Sequence, residues 1–229
     1  MQTPHPHPEP PQSLEQLMAR ANSLAGYNLG QLGEIAGLGI PGHLRREKGW
    51  MGMLLETLLG AKAGSKPEPD FPHLGVELKT LPVDRHGKPL ESTFVAVAPA
   101  EGWQGVTWET SHVRQKLACV LWIPILAERQ LAPAERVVAT PLLWRPNPVQ
   151  EQALRQDWEE LVEQLALGHF DEISAHKGQV LQLRPKAANG RVKVQARNAE
   201  GQLVAVQPKG FYLRAHFTRQ LLAEAFSLV

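Results

Sequence analysis

Asp70-Phe71-Pro72-His73-Leu74-Gly75-Val76-Glu77-Leu78-Lys79-Thr80 is the stretch on which the reading of this chain turns. Strand side chains alternate between faces, so Val76 and Leu78 enter a core while Glu77 and Lys79 stand together on the other face. A proline-broken loop upstream can fold Asp70 back beside them. Two carboxylates next to one ammonium suit metal-assisted phosphodiester cleavage: the carboxylates hold a hard divalent cation, and the lysine positions or deprotonates the attacking water. The same spacing is also common on the solvated face of an ordinary strand.

At 229 residues, 43% hydrophobic and 21% charged, the composition is that of a globular protein with one large domain or two small lobes sharing a core. The first twelve residues, with prolines at 4, 6, 8, 10 and 11, read as a disordered Pro-rich tail ahead of a single domain over 13–229. They have the form of neither a signal peptide nor a transit sequence, and no apolar run approaches a membrane span, so a cytoplasmic protein is expected. The single cysteine, Cys119, lies in an apolar run and reads as a buried thiol in a reducing compartment. A net charge of +1 gives no global basic field, so a nucleic-acid partner needs local cation clusters. Arg45, Arg46 and Lys48 form one, Arg184, Lys186, Arg191 and Lys193 a second, and Lys209 with Arg214 a third; each also fits ordinary surface.

Along the chain, Ser13-Leu14-Glu15-Gln16 has the form of a capping box opening a helix that Gly26 stops. A second helix is expected over 29–36 and a third over 47–59, apolar on nearly all sides and buried on most of them. Glu56 lies in that third helix. It is either a buried carboxylate that needs a cation, metal or donors, or part of a narrow exposed stripe beside Thr57. A turn over 82–89 leads to a strand over 93–98, expected to form a hairpin with the Glu77 strand. A helix over 107–117 and an interior strand over 120–124, ended by Pro124, follow. Asn147 caps a long helix with Pro148 at its first position; its Asp157, Glu159, Glu160 and Glu163 read as a solvated face. A strand over 180–183 runs into Arg184-Pro185-Lys186, a hairpin over 192–206 turns near 198–201, and a helix over 217–226 closes the chain. The expected class is mixed α/β, a central mixed sheet flanked by helices. The Glu56 helix facing the Glu77 strand across a cleft unites three carboxylates with Lys79.

The ordered blocks resemble the MutH family of methyl-directed mismatch-repair endonucleases. They are Gly49-Trp50 through Leu59-Gly60, Gly64-Ser65-Lys66-Pro67-Glu68 with Asp70, Leu74-Gly75-Val76-Glu77-Leu78-Lys79-Thr80, Thr93-Phe94-Val95, Val106-Thr107-Trp108-Glu109-Thr110-Ser111-His112-Val113-Arg114, Leu121-Trp122-Ile123-Pro124, Pro141-Leu142-Leu143-Trp144, Arg184-Pro185-Lys186-Ala187-Ala188-Asn189 and Gly210-Phe211-Tyr212-Leu213. Together they span most of the chain from Leu14 onward; the tail before Ser13 and the segment 190–207 depart from the pattern.

The resemblance implies a fold like that of type II restriction endonucleases, with two lobes around a DNA cleft. It implies Mg²⁺-dependent nicking of the unmethylated strand at hemimethylated GATC sites, 5′ of the G, by a monomer on double-stranded DNA. A MutL-type ATPase is the implied activator, acting after MutS finds a mismatch. By the same resemblance Asp70 and Glu77 ligate Mg²⁺, Glu56 assists through the metal or its waters, and Lys79 orients the water. Arg184, beside Pro185, matches the base-reading loop, Lys48 a DNA contact, and Tyr212 the methylation sensor with Phe94 as its candidate neighbour; Pro185 and Lys186 are counted with the DNA-binding residues. Lys116 is a candidate phosphate contact. Two other readings are a stand-alone restriction endonuclease for the same tetranucleotide and a non-catalytic DNA-binding module of the same fold. The near-zero net charge suggests weak DNA binding without help, which suits an enzyme that waits for an activator.

Overall fold

In the computed structural model the described residues are 8–42, 49–61, 68–170, 173, 176–186 and 191–227. The elements are, in chain order, helices α1 (Leu14–Leu24), α2 (Leu29–Ala36) and α3 (Trp50–Leu59), strands β1 (Glu77–Val83) and β2 (Thr93–Ala98), helix α4 (His112–Leu117), strands β3 (Val120–Leu126), β4 (Val137–Val138) and β5 (Leu142–Trp144), helix α5 (Pro148–Ala166), strands β6 (Leu181–Pro185), β7 (Val194–Arg197), β8 (Leu203–Val206) and β9 (Lys209–Leu213), and helix α6 (Ala215–Phe226). They divide into two compact units. One takes the described residues up to Glu91, Ala118–Arg145 and those from Leu221; the other takes Ser92–Leu117 and Pro146–Gln220. No helix of the described residues is long and apolar enough to cross a membrane.

The first unit is built on a mixed sheet. β1 and β3 run parallel from Glu77↔Val120 to Val83↔Leu126, and the short β4 and β5 pair antiparallel with β3. Pro124 does not end β3 as its sequence position suggests. It falls between the residues paired with β5 and those paired with β4, where an N–H can be spared, and its carbonyl accepts from the Ala139 amide at 2.8 Å. Trp50, Leu54, Leu55 and Leu59 of α3 join Leu17, Ala21, Leu29 and Leu32 and the inward side chains Val76, Leu78, Leu121, Ile123 and Ile125 in one core. The part of the expected third helix before Gly49 lies outside the described residues.

Local signals set the helix ends. Ser13 Oγ accepts from the Gln16 amide, while the Gln16 side chain reaches back to the Gln12 amide at 2.6 Å, one residue beyond a standard capping box. Asn28 and Gln31 form the reciprocal box of α2. Residues 8–12 lie against this unit: Pro10 and Pro11 are buried, Arg20 donates to the Glu9 carbonyl at 2.6 Å, and the His73 ring nitrogen Nε2 lies 2.6 Å from the Pro11 carbonyl. Their fixed φ makes such prolines inexpensive to order.

The second unit holds an antiparallel sheet in the order β2-β9-β6 and the β7-β8 hairpin, which turns at 198–201. The hairpin expected between β1 and β2 is not formed, because the chain leaves the first unit at Ser92 and β2 pairs with β9 instead. The helix expected over 107–117 begins only at His112. Thr110 Oγ1 accepts from the Thr107 amide and Ser111 Oγ from the Arg114 amide, so the hydroxyls supply turns and a cap in place of a first helical turn. Asn147 and Gln150 form the reciprocal box of α5, with Pro148 first in the helix.

One residue of the acidic set on α5 is not solvated. Asp157 is 3% exposed, and its carboxylate accepts from the amides of Gln179 at 2.8 Å, Val180 at 2.6 Å and Leu181 at 2.8 Å. Three amide donors satisfy a charge that burial otherwise disfavours. They also fix where β6 starts. Arg214 reinforces the same corner by donating to the carbonyls of Gly178 and Lys177. Asp157→Ala leaves those amides without their acceptor and should destabilise the fold by about 3 kcal/mol in urea denaturation, with Asp157→Asn intermediate; Glu160→Ala, on the exposed face of the same helix, should stay within about 0.5 kcal/mol of the parent.

Candidate functional site

The Glu77 amide bonds the Cys119 carbonyl at 3.0 Å, on the β3 side. The next amide, that of Leu78, therefore faces the opposite edge of β1, where no strand lies among the described residues. Asp70 fills that place, its Oδ2 accepting from the Leu78 amide at 2.8 Å. The fold-back that brings it there is short. Phe71 and Val76 exchange backbone hydrogen bonds of 2.9 and 3.3 Å around a 3₁₀ turn, Pro72–Leu74, closed by Gly75 at φ 65°. One residue to either side of Leu78, Glu77 and Lys79 share a face, and Lys79 Nζ lies 2.5 Å from Glu77 Oε1. The alternation read from the sequence is present, with Val76 and Leu78 in the core.

Burial gives this group its electrostatic character. Asp70 is 8% exposed and Glu77 2%, while the Lys79 side chain is 14% exposed. Two carboxylates and one ammonium thus lie in a poorly solvated place, where charged groups depend on their partners rather than on water. Its donors are hard oxygens. Mg²⁺ is commonly held by one or two carboxylates, with waters and substrate phosphate completing the shell, so Asp70 and Glu77 fit that ion. Glu56 is half-buried on α3, the helix packed against β1. Among the described residues, no three His, Cys, Asp or Glu side chains group closely enough to make a metal cage. The structure thus brings Asp70, Glu77 and Lys79 together and does not place Glu56 with both carboxylates in one such cage.

A second cluster occupies one face of the sheet in the second unit. The registers Phe94↔Tyr212↔Gln182 and Arg184↔Gly210 put these five residues on the same face. The opposite face carries the buried Leu181, Leu183, Phe211 and Leu213. Phe94 and Tyr212 meet edge-to-face with ring centroids 5.4 Å apart. The Arg184 guanidinium lies 5.8 Å from the Tyr212 ring centroid, and Lys186 Nζ lies 4.0 Å from that of Phe94. Two half-buried rings are thus flanked by two exposed cations, with Pro185, also exposed, ending β6. Lys116 is half-buried on α4, which packs against β2. Lys48 lies outside the described residues.

Sequence reasoning passed over three residues of this neighbourhood. Gln182 is buried beside Tyr212. Ser92 Oγ accepts from Arg184 Nη1 at 2.6 Å. Gly210 leaves room for Phe94: a Cβ there would stand 2.8 Å from Phe94 Cε2 and 3.2 Å from the Ala96 carbonyl. The register of three strands joins these residues, and no local spacing signals it.

An acid–lysine cluster at a strand start, together with an aromatic and cationic sheet face, fits an enzyme that acts on DNA. Comparison with known proteins gives that class a family. A family model described as "DNA mismatch repair enzyme MutH" matches residues 59–157. The DNA mismatch repair protein MutH of Serratia proteamaculans (strain 568) is 57% identical over 221 residues, covering 96% of this chain and 97% of the relative. The proteins of the same name from Klebsiella pneumoniae (strain 342) and Escherichia coli O127:H6 are 56% and 55% identical, covering 100% and 99% of this chain and 99% of each relative. The chain belongs to the MutH family of DNA mismatch-repair proteins.

The packing of Phe94 on Gly210 can be measured directly. Gly210→Ala should cost about 2 kcal/mol in urea denaturation, the usual scale for overpacking. In a Phe94→Ala background the same change should cost well under half of that, giving a clear coupling in a double-mutant cycle.

Proposed function

We propose that this chain is a Mg²⁺-dependent endonuclease that nicks the unmethylated strand of hemimethylated GATC sites, 5′ of the G, in mismatch repair. The observation that carries this reading is the Asp70–Glu77–Lys79 group at the start of β1 in a chain of the MutH family. Asp70 and Glu77 would hold the metal, with Glu56 assisting through it or its waters. Bound there, Mg²⁺ supplies Lewis-acid polarisation of the scissile phosphate and acidifies water at neutral pH. Lys79 does the positioning. Its ammonium lies beside Glu77 and would donate a hydrogen bond to the attacking water or to a phosphate oxygen as charge develops. The water oxygen bonds to phosphorus as the bond to the 3′ oxygen breaks, leaving a 3′-hydroxyl and a 5′-phosphate. The described residues carry one such group, so the expected product is a single-strand cut by a monomer.

Recognition falls to the other unit. Guanine offers N7 and O6 as acceptors in the major groove, and a guanidinium can take both; Arg184 is the candidate. Adenine N6 faces the same groove, and its methylation removes one N–H and adds bulk. The wall formed by Tyr212 and Phe94 would admit the bare amino group and exclude the methylated one. Lys116 is the candidate phosphate contact, Lys48 and Lys186 are further candidate DNA contacts, and a restriction-endonuclease-like pair of lobes would set both units on one duplex. A net charge of +1 leaves unassisted DNA affinity low, which suits activation by a MutL-type ATPase downstream of MutS.

The test is nicking of a hemimethylated GATC duplex, with and without Mg²⁺, MutL and ATP. Nicking of the unmethylated strand that requires Mg²⁺ and is accelerated by MutL is expected. Lys79→Ala should lower the rate by about 10²–10³ while DNA binding persists. Efficient cleavage of both strands by the protein alone would point to a restriction enzyme instead. Independently of turnover, saturating Mg²⁺ should raise the melting temperature by about 3 °C, and this shift should vanish in the Asp70→Asn/Glu77→Gln double variant.

A further inference from the structure

Arg184 is an exposed arginine at the end of a strand, where a long side chain ordinarily samples many rotamers. Here it is held from two directions. Its guanidinium carbon lies 5.8 Å from the Tyr212 ring centroid, and its Nη1 donates to Ser92 Oγ at 2.6 Å. Ser92 directly precedes β2, the strand that carries Phe94. A single hydroxyl contact therefore ties the guanidinium on β6 to the chain that presents the aromatic pair, across the intervening β9. An arginine fork carries five N–H donors, so one bond to Ser92 leaves others for a ligand.

We propose that Ser92 is a positioning residue for base recognition: its hydroxyl fixes the Arg184 guanidinium over Tyr212 before DNA arrives, so that the fork meets guanine N7 and O6 without first being ordered. This rests on the reading of Arg184 as the guanine contact. A fork already oriented loses less conformational freedom on binding. It also enforces the two-acceptor geometry that a wrong base cannot match. Ser92 touches no DNA in this scheme and acts only through Arg184. Without it, the arginine can still pair with phosphate or with an imperfect base edge, so discrimination falls further than overall affinity.

The experiment measures kcat/KM for nicking by the full chain with MutL on three hemimethylated duplexes: GATC, the same site with 7-deazaguanine for the guanine, and the same site with adenine in that position. Wild type, Ser92→Ala, Ser92→Thr and Arg184→Ala are compared. Ser92→Ala should lower the ratio of GATC to the adenine-substituted site about tenfold and shrink the penalty for 7-deazaguanine. Ser92→Thr, which keeps the hydroxyl, should restore both. A purely structural role for Ser92 would lower activity on all three duplexes alike. A wild-type ratio in Ser92→Ala alongside a collapsed ratio in Arg184→Ala would overturn the role of Ser92 alone, as would failure of threonine to restore it. An unchanged ratio in Arg184→Ala would instead remove Arg184 as the guanine contact, and the proposal with it.

Discussion

The amide of Leu78 needs an acceptor, and a carboxylate supplies it. β1 has β3 on one side and no strand on the other among the described residues, so an inward-lying backbone donor at that edge would be costly if left unpaired. Asp70 meets the need through a side chain. The consequence reaches beyond one hydrogen bond. The atom that completes the sheet edge is charged, is nearly buried, and lies beside the residue between Glu77 and Lys79. Strand alternation alone puts an acid and a lysine on one face. The fold-back through Pro72–Leu74 and Gly75 adds the second acid. That backbone geometry adds a second carboxylate to a common charge pattern in a place water reaches poorly.

The same physical device appears in the second unit with a different outcome. Asp157 also accepts backbone amides at the entry to a strand, and it too is nearly buried. Its three amide bonds occupy the carboxylate in fixing the start of β6, and it shares a helix stripe with the buried apolar residues Leu154 and Leu161. Asp70 accepts from the Leu78 amide, and the residues on either side of that amide are a second acid and a lysine that pair with each other. Burial alone therefore does not mark a functional carboxylate. What separates the two is the setting: Asp157 sits on an apolar helix stripe, whereas Asp70 precedes a strand that opens Glu77-Leu78-Lys79.

Those differences also explain how far the sequence could be read. Features set by neighbours in the chain were legible: the caps at Ser13, Asn28 and Asn147, the bounds of α2, the turn of the β7-β8 hairpin, and the alternation from Val76 to Lys79. Features set by distant partners were not. β1 and β2 follow one another closely, yet one pairs in parallel with β3 and the other antiparallel with β9, because the chain passes from one unit to the other at Ser92. Pro124 stops a strand only if its N–H is needed, and that depends on where β4 and β5 end. Asp157 did carry a local signal: it falls on the apolar stripe Leu154, Trp158, Leu161, Leu165, a position where a carboxylate must find donors elsewhere. Ser92 carried none, since its partner lies 92 residues away.

Under the proposed function, the division of labour between the two units follows from what each chemistry requires. Holding a hard cation and activating water needs few groups, all of one kind and tightly placed, and a seven-residue strand with its preceding turn supplies them. Reading bases needs several different groups spread over a surface at a fixed spacing, which is what a sheet face offers: Phe94 and Tyr212 paired across two strands, Arg184 on a third and Lys186 just past its end. Gly210 matters there because it has no side chain, leaving space for the Phe94 ring. Under the proposed function, substitutions around β1 would change the rate of cutting at every sequence, whereas substitutions on the β2-β9-β6 face would change which sequences are cut. The contacts that hold that face in shape, Ser92 on Arg184 and Gly210 under Phe94, then belong to specificity as much as the residues that reach the DNA.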